Sequence, residues 1–133
     1  MYKISLMGLN DLEEAYKIEL EVNPSPWKYE TFLSSFEVGH KGLICKNDNQ
    51  MIGFIIFSPI TPEAHILSIS VRNEMQSKGI GTLLLKSMLD QCKVMHYKKI
   101  FLEVRVSNVK CSLHCFYIRL SELDRLAINR HFV

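Results

Sequence analysis

The residues best suited to chemistry form a short polar segment that contains two glycines, Gln76-Ser77-Lys78-Gly79-Ile80-Gly81. The stretch 64–71 before it alternates apolar and small polar residues, which predicts a β-strand. Apolar residues recur at three- and four-residue steps over 80–95, which predicts a helix. Glycines let the backbone approach a ligand, and the first helical turn offers unpaired N–H groups at its positive end. With the nearby cations Arg72 and Lys78, this arrangement predicts a site for phosphate or pyrophosphate.

Two common phosphate-binding loops do not match this segment. A P-loop has its lysine after the glycines, whereas Lys78 precedes Gly79 and Gly81. A dinucleotide-binding loop needs a third glycine, and Leu84 occupies that position. The segment instead resembles the Q/R-x-x-G-x-G/A pyrophosphate loop of acetyl-coenzyme A-dependent N-acetyltransferases, the GNAT superfamily.

A second segment strengthens the resemblance. Residues 102–108 read Leu-Glu-Val-Arg-Val-Ser-Asn and closely resemble the L-E-V-R-x-S-N segment of the ribosomal-protein alanine N-acetyltransferases, a group within that superfamily. Pro26, Trp27 and Phe32 resemble the P-W-x-x-x-x-F stretch that helps to shape the peptide-binding side of the group. The resemblance covers residues 1–109, and its motifs occur in the family order.

The predicted elements match the architecture that this resemblance implies. The patterns predict strands at 2–7, 43–46, 51–58, 64–71 and 100–106, and helices at 12–22, 27–33 and 80–95. The composition of 47–50, Asn-Asp-Asn-Gln, predicts a hairpin turn between the second and third strands. The family has an α/β (α+β) fold, in which helices cover both faces of a mixed, mostly antiparallel sheet. Its two central strands run parallel and splay apart, so we expect a notch between strands 64–71 and 100–106.

The resemblance implies that acetyl-coenzyme A binds in this notch. The pantetheine arm bonds to the backbone of the first splayed strand, since a splayed pair exposes N–H and C=O groups that the amides of the arm can satisfy. The residues that the resemblance assigns to cofactor binding are Ile69, Ser70, Val71, Gln76, Ser77, Lys78, Gly79, Ile80, Gly81, Thr82 and Asn108. Asn108 is equally compatible with an ordinary turn residue at the end of a strand.

Acetyl transfer to an amine needs few groups, and the matched segment supplies a candidate for the base. Glu103 would take the ammonium proton, directly or through water, because desolvation raises the pKa of a carboxyl group toward the useful range. A backbone N–H within 69–71 would polarise the thioester carbonyl. The alternative for Glu103 is a surface ion pair with Arg105 or Lys99.

The chain departs from the family after Asn108. The family tyrosine that protonates the departing thiolate belongs at Cys115, and the nearest tyrosine, Tyr117, is two positions late, about 200° around a helix. The Gly-Phe pair that follows in the family is missing, and apolar residues predict a helix over 111–127 instead. We therefore expect a single domain over 1–133 whose closing C-terminal hairpin is truncated or replaced, with 110–133 atypical. A reading-frame change in the gene is one hypothesis for this tail.

These observations favour an acetyl-coenzyme A-dependent N-acetyltransferase with Glu103 and Tyr117 as its catalytic residues. The acceptor would be the N-terminal α-amino group of a protein or peptide, such as a ribosomal protein. The alternative is a coenzyme A-binding or interaction protein whose catalysis is impaired, because the family tyrosine and closing hairpin are missing. The missing hairpin would leave strand 100–106 with an unpaired edge, so we expect a homo-oligomer, such as a dimer.

Composition limits the remaining classes of function. The 133 residues carry a net charge of only +2, which gives no reason to expect a nucleic-acid partner. No apolar run is long enough for a membrane span, and no signal peptide is recognisable, so we expect a cytoplasmic protein with reduced cysteines. Cys111, His114 and Cys115 would share a helix face, but zinc needs four ligands and His131 is the only later candidate, so we expect no metal site.

Overall fold

The computed structural model describes the backbone of residues 1–58, 63–94, 99–104 and 114–119, with side chains over 1–58 and 65–91. In chain order the elements are β1 (Tyr2–Leu6), α1 (Leu12–Val22), α2 (Tyr29–Glu37), β2 (Lys41–Asn47), β3 (Gln50–Ser58), β4 (Glu63–Val71), α3 (Ile80–Val94), β5 (Lys99–Val104) and β6 (His114–Arg119). The six described strands form one sheet in sequence order. Its β4–β5 pair is parallel and the other four pairs are antiparallel, which confirms the predicted mixed sheet.

Helices cover both faces of the sheet, as the resemblance implies. One face is buried under α3 in a cluster that includes Leu43, Cys45, Ile55, Phe57, Ile66, Ile80, Leu84, Leu85, Met88 and Leu89. The other face is buried under α1 and α2 in a cluster that includes Leu12, Ala15, Ile18, Phe32, Ile44, Met51, Phe54 and Ile56. Because β2 and β3 are apolar on both faces, they form the centre of the core, as expected for strands covered twice.

The hairpin between β2 and β3 follows from its turn residues. Asp48 and Asn49 are the two loop residues, with positive φ angles of 51° and 69°. Asn and Asp tolerate this left-handed region, and two such residues make the hairpin turn whose twist matches that of the flanking strands. The predicted turn is therefore confirmed.

Helix α2 is longer and begins later than the predicted helix at 27–33. Lys28 is its N-cap, with extended backbone, and the helix continues to Glu37. The chain turns out of the helix at Gly39, where φ is +94°, and the N–H of His40 donates to the carbonyl of Ser35 at 3.0 Å. This closing bond spans five residues and is typical of a glycine-terminated helix.

The predicted helix over 111–127 is wrong for residues 114–119, which form β6. This strand pairs antiparallel with β5, from Lys99 opposite Arg119 to Val104 opposite His114. Phe116, Tyr117 and Ile118 are strong strand formers, and the edge of β5 supplies the partners that a local helical pattern cannot reveal. The rest of the predicted helix lies outside the described residues.

This strand pairing corrects two further expectations. The edge of β5 is not left unpaired over Lys99–Val104, because β6 occupies it. Cys115 and Tyr117 are alternate positions along a strand, so the helical separation of about 200° does not apply to them.

Candidate active site

The notch predicted between the two parallel strands is present. The ladder between β4 and β5 runs from Glu63 opposite Lys99 to Ile66 opposite Leu102 and goes no further, although β4 continues to Val71. The pairing of β4 with β3 shifts at the same place, where Phe57 pairs with Ile66 and Ile56 with Ser68. Leu67 is therefore an extra residue in β4. A bulge bends and twists its strand, which explains why β4 leaves β5 at this point.

Beyond the bulge, the backbone of β4 offers hydrogen-bonding groups to the notch. The N–H of Arg72 donates to the carbonyl of Ile52 in β3 at 2.9 Å. Because an antiparallel strand alternates its hydrogen-bonding direction, the N–H and C=O of Ser70 also face β3, and those of Ile69 and Val71 face the notch. Of the three predicted cofactor contacts in β4, Ile69 and Val71 thus have suitably directed backbone groups, and Ser70 does not.

The loop after β4 is held in shape by a glutamine side chain. The amide of Gln76 donates to the carbonyl of Val71 at 3.1 Å and to the Oδ1 atom of Asn73 at 3.4 Å. These bonds span the short 3₁₀ turn Asn73–Met75. Gln76 was predicted to bind the cofactor, and the bonds show that its amide braces the loop that leads to α3.

The start of α3 has the geometry of an anion site. Ser77 and Gly79 have positive φ angles of 63° and 83°. The N–H of Leu83 donates to the carbonyl of Gly79 at 3.0 Å, which is the first hydrogen bond of the helix. The N–H groups of Ile80, Gly81 and Thr82 precede that bond and lack a helical acceptor. A Cβ at Gly79 would meet nothing within 4 Å, so the backbone is open to a pyrophosphate there.

The two cations near this loop have different environments. Lys78 is exposed. Arg72 donates from Nε to the carbonyl of Met51 at 2.8 Å and lies 3.4 Å from the carboxylate of Glu21. The same carboxylate accepts the N–H of Asn73 at 2.9 Å. Arg72 therefore fastens α1 to the loop, and Lys78 is the cation with an exposed position for a phosphate.

An aromatic cluster lies on the side of α1 and α2. Trp27 is half-buried and packs edge-on against Phe32, with ring centroids 5.1 Å apart. Phe32 also contacts Phe54 of β3 at 5.8 Å, and Tyr16 contacts Tyr29 at 5.8 Å. The segment with the P-W-x-x-x-x-F pattern is thus anchored to the sheet through Phe32.

The buried polar residue that sequence reasoning missed is Glu19. It is 0% exposed, and its carboxylate accepts hydrogen bonds from Asn23, the backbone N–H of Trp27 and the hydroxyl of Ser70. A signal was available in the sequence. Glu19 follows Ala15 by four residues and precedes Val22 by three, which places a carboxylate within the apolar stripe of α1.

The backbone positions of the two predicted catalytic residues are described, but their side chains lie outside the described part. Glu103 follows Leu102, the last residue of β5 that pairs with β4, so it lies where the two strands separate. On the other side it is opposite Cys115, and Tyr117 is opposite Phe101. Asn108 lies outside the described residues.

Comparison with known proteins identifies the family. The model of the acetyltransferase (GNAT) family matches residues 8–116, which is more than half of the chain. The chain belongs to the GNAT family. Acetyl-coenzyme A is the acetyl donor of this family and therefore of this acetyltransferase.

Individual relatives agree with this assignment. The acetyltransferase is 31% identical over 108 residues to the [ribosomal protein bS18]-alanine N-acetyltransferase of Salmonella typhimurium, covering 81% of this chain and 73% of that protein. It is 30% identical over 124 residues to an uncharacterised N-acetyltransferase of Methanocaldococcus jannaschii, covering 92% and 78%. The crystal structure of the ribosomal-protein-S18-alanine N-acetyltransferase from Escherichia coli superposes with a TM-score of 0.77 at 30% identity, covering 83% and 71%.

The described residues lack two kinds of feature. No helix among them is long and apolar enough to cross a bilayer. They contain no group of three or more His, Cys, Asp or Glu residues placed to hold a metal ion. Cys111 and His131 lie outside the described residues, as do the side chains of His114 and Cys115.

Proposed function

We propose that this GNAT acetyltransferase acetylates the N-terminal α-amino group of a protein, with a ribosomal protein as the acceptor class. The observation that carries the proposal is the separation of β4 from β5 after Ile66, which opens a notch beside Glu103. The relatives named for acetylation of an alanine of bS18 support the acceptor class. They also favour this function over a coenzyme A-binding protein without catalysis.

The proposed cofactor site has two parts, the start of α3 and the backbone of β4. We propose that the uncapped N–H groups of Ile80, Gly81 and Thr82, with Ser77, Lys78 and Gly79, hold the pyrophosphate. The N–H and C=O of Ile69 and the N–H of Val71 would satisfy the amides of the pantetheine arm, since the carbonyl of Val71 already accepts from Gln76. The side chain of Gln76 would shape this site by bracing the loop before α3. Ser70 would act indirectly, through the hydrogen bond from its hydroxyl to Glu19 of α1. Asn108 is a further proposed contact.

Acetyl-coenzyme A supplies an acetyl group already activated as a thioester. Glu103 would take a proton from the acceptor ammonium group, since a neutral amine is the nucleophile. An N–H of β4 facing the notch would donate to the carbonyl oxygen of the acetyl group. The hydroxyl of Tyr117 would donate a proton to the departing thiolate.

The register of β5 and β6 supports the pairing of these two residues. Glu103 is opposite Cys115, and Tyr117 is two positions along β6 from Cys115. On adjacent antiparallel strands, two residues offset in this way are diagonal neighbours, about 7–8 Å apart. Tyr117 is therefore a nearby candidate for the acid even though Cys115 occupies the position of the family tyrosine.

The test is acetylation of synthetic peptides followed by mass spectrometry. A peptide with a free N-terminal alanine should gain one acetyl group when it is incubated with acetyl-coenzyme A and the protein. The control is a peptide of the same sequence whose N-terminus is blocked. Both peptides carry an internal lysine, and the control should gain no acetyl group. Acetylation of the control peptide would contradict the α-amino assignment, and no transfer to any protein or peptide would contradict the proposed acceptor class.

Four broader proposals accompany this function. We propose that the protein works in the cytoplasm, where ribosomal proteins are made, and that it has no nucleic-acid or membrane partner. We also propose one acetyltransferase domain over 1–133, with 110–133 atypical. Self-association is proposed through the outer edge of β6, because β6 has one neighbour among the described strands.

A further inference from the structure

A buried carboxylate lies between the two halves of the proposed site. Glu19 is the one fully buried charged residue among those whose burial is described. It belongs to α1, which precedes the segment with Pro26 and Trp27, and it also reaches β4. Burying a carboxylate is costly unless donors replace its water, so its partners show what the fold uses it for.

The two oxygens of this carboxylate bind different parts of the molecule. Oε2 accepts the side-chain amide of Asn23 and the backbone N–H of Trp27, both at 3.0 Å. Oε1 accepts the hydroxyl of Ser70 at 3.1 Å. Hydrogen bonds to a charged group are stronger than those between neutral groups. The carboxylate of Glu19 therefore joins the segment from Asn23 to Trp27 to β4, the strand that borders the notch.

The bond to Ser70 lies at the part of β4 that the cofactor would contact. Ser70 stands between Ile69 and Val71, whose backbone groups face the notch. Ser70 is buried, with 7% of its surface exposed. A ligand that binds the backbone of Ile69 and Val71 and displaces it would therefore also displace Ser70. Because Oε1 and Oε2 belong to the same carboxylate, the hydroxyl of Ser70 and the N–H of Trp27 are linked through one rigid group.

We propose that Glu19 is a positioning residue that couples cofactor binding to the order of the segment from Asn23 to Trp27. The inference rests on the proposed function, since that function places the cofactor at β4 and the acceptor near Trp27. Coenzyme A in the notch strengthens binding of the acceptor peptide, and by linkage the peptide strengthens binding of coenzyme A by the same factor.

The chain offers a direct spectroscopic signal for this coupling. Trp27 is the only tryptophan in the 133 residues, so tryptophan emission reports on this segment alone. Coenzyme A, which lacks the acetyl group and allows no turnover, is the first probe. A peptide with a free N-terminal alanine is the second. Calorimetry measures binding of each, and the emission of Trp27 measures the response of the segment.

Ser70→Ala removes the bond to β4 while leaving both donors to Oε2. Ser58→Ala is the matched control, because Ser58 is a buried serine of the neighbouring strand whose hydroxyl has no hydrogen-bond partner among the described residues. Ser70→Thr keeps a hydroxyl and tests for rescue. Thermal melts establish that each variant is folded.

In the wild type and in Ser58→Ala, saturating coenzyme A should change the emission of Trp27 and lower the Kd of the peptide by at least about fivefold. In Ser70→Ala the emission change should be lost and the effect on the peptide should fall below about twofold, with recovery in Ser70→Thr. A response in Ser70→Ala equal to the wild type would overturn the inference.

The wild type alone can also overturn it, whatever the variants do. Calorimetric binding of coenzyme A with no change in Trp27 emission and no change in peptide affinity would refute the coupling and leave the proposed function standing. No binding of coenzyme A to the wild type would refute both.

Discussion

At the scale of the residue, Gly79 determines whether an anion can reach the first turn of α3. Its φ of +83° is strained for any residue with a Cβ, and the space around it is open. The N–H groups that follow it are the proposed pyrophosphate contacts. A branched side chain at position 79 would cover this backbone and block the approach of a ligand.

We expect Gly79→Val to weaken coenzyme A binding at least about tenfold, because it both strains the loop and obstructs the backbone, and tenfold corresponds to about 1.4 kcal/mol. Calorimetry measures the affinity. Gly39→Val is the matched control, since Gly39 also has positive φ, at +94°, and open space, but ends α2. Equal affinity in the Gly79 variant and the wild type would remove the pyrophosphate assignment.

Glu103 and Tyr117 are expected to affect turnover rather than binding. Replacing a general base commonly costs ~10²–10⁴-fold, so Glu103→Gln should lower kcat by that order at neutral pH and leave coenzyme A affinity nearly intact. Tyr117→Phe should lower kcat as well. Peptide acetylation rates measured across pH test both, with the exposed Glu37→Gln as control. Unchanged rates in Glu103→Gln at all pH values would show that this residue is not the base.

At the scale of the element, the link between α2 and β2 contains a histidine, His40, whose positive charge is disfavoured in the folded chain. Burial lowers the pKa of His40, because the charged imidazolium loses solvation. The Nδ1 atom of His40 lies 2.6 Å from the hydroxyl of Ser35. The folded chain therefore binds a proton at this site less readily than the unfolded chain, whose histidine titrates near its ordinary value of about 6.5.

The sign of the resulting pH dependence follows from this lowered pKa. Well above about pH 6.5 His40 is neutral in both states and adds no slope. As the pH falls below about 6.5 the unfolded chain takes up the proton first, so stability decreases until the pH reaches the lowered pKa of the folded chain. We expect the free energy of unfolding to fall less steeply between pH 7.5 and 5.5 in His40→Gln than in the wild type. Urea denaturation at several pH values measures both slopes, and equal slopes would contradict the prediction.

At the scale of the whole molecule, one twisted sheet is buried from both sides and its far end is formed by β6. The outer edge of β6 has unpaired backbone groups unless something covers it. We expect the full chain to self-associate at micromolar concentration through this edge. A sedimentation velocity series over concentration tests this, and a single monomeric species throughout would show that the edge is protected within the chain.

Much of the fold follows from local patterns in the sequence. Helix α3, the turn at Asp48 and Asn49, and the glycine loop before Ile80 were predicted near their observed places, because each depends on neighbours within one or two turns of chain. Helix α2 was partly missed, since its extent depends on the stop at Gly39. These features need only periodicity, capping and φ preferences, which adjacent residues determine.

What only the tertiary structure decided involves residues far apart in the chain. The bulge at Leu67 marks where β4 leaves β5, and the strand pattern of 64–71 contains no sign of it. The hydrogen bond from Ser70 to Glu19 joins residues 51 apart, and β6 forms because β5 presents an edge. Sequence periodicity records which residues prefer burial or a given backbone shape. It does not record which distant partner satisfies them, since pairing is settled by how the packed elements close on one another.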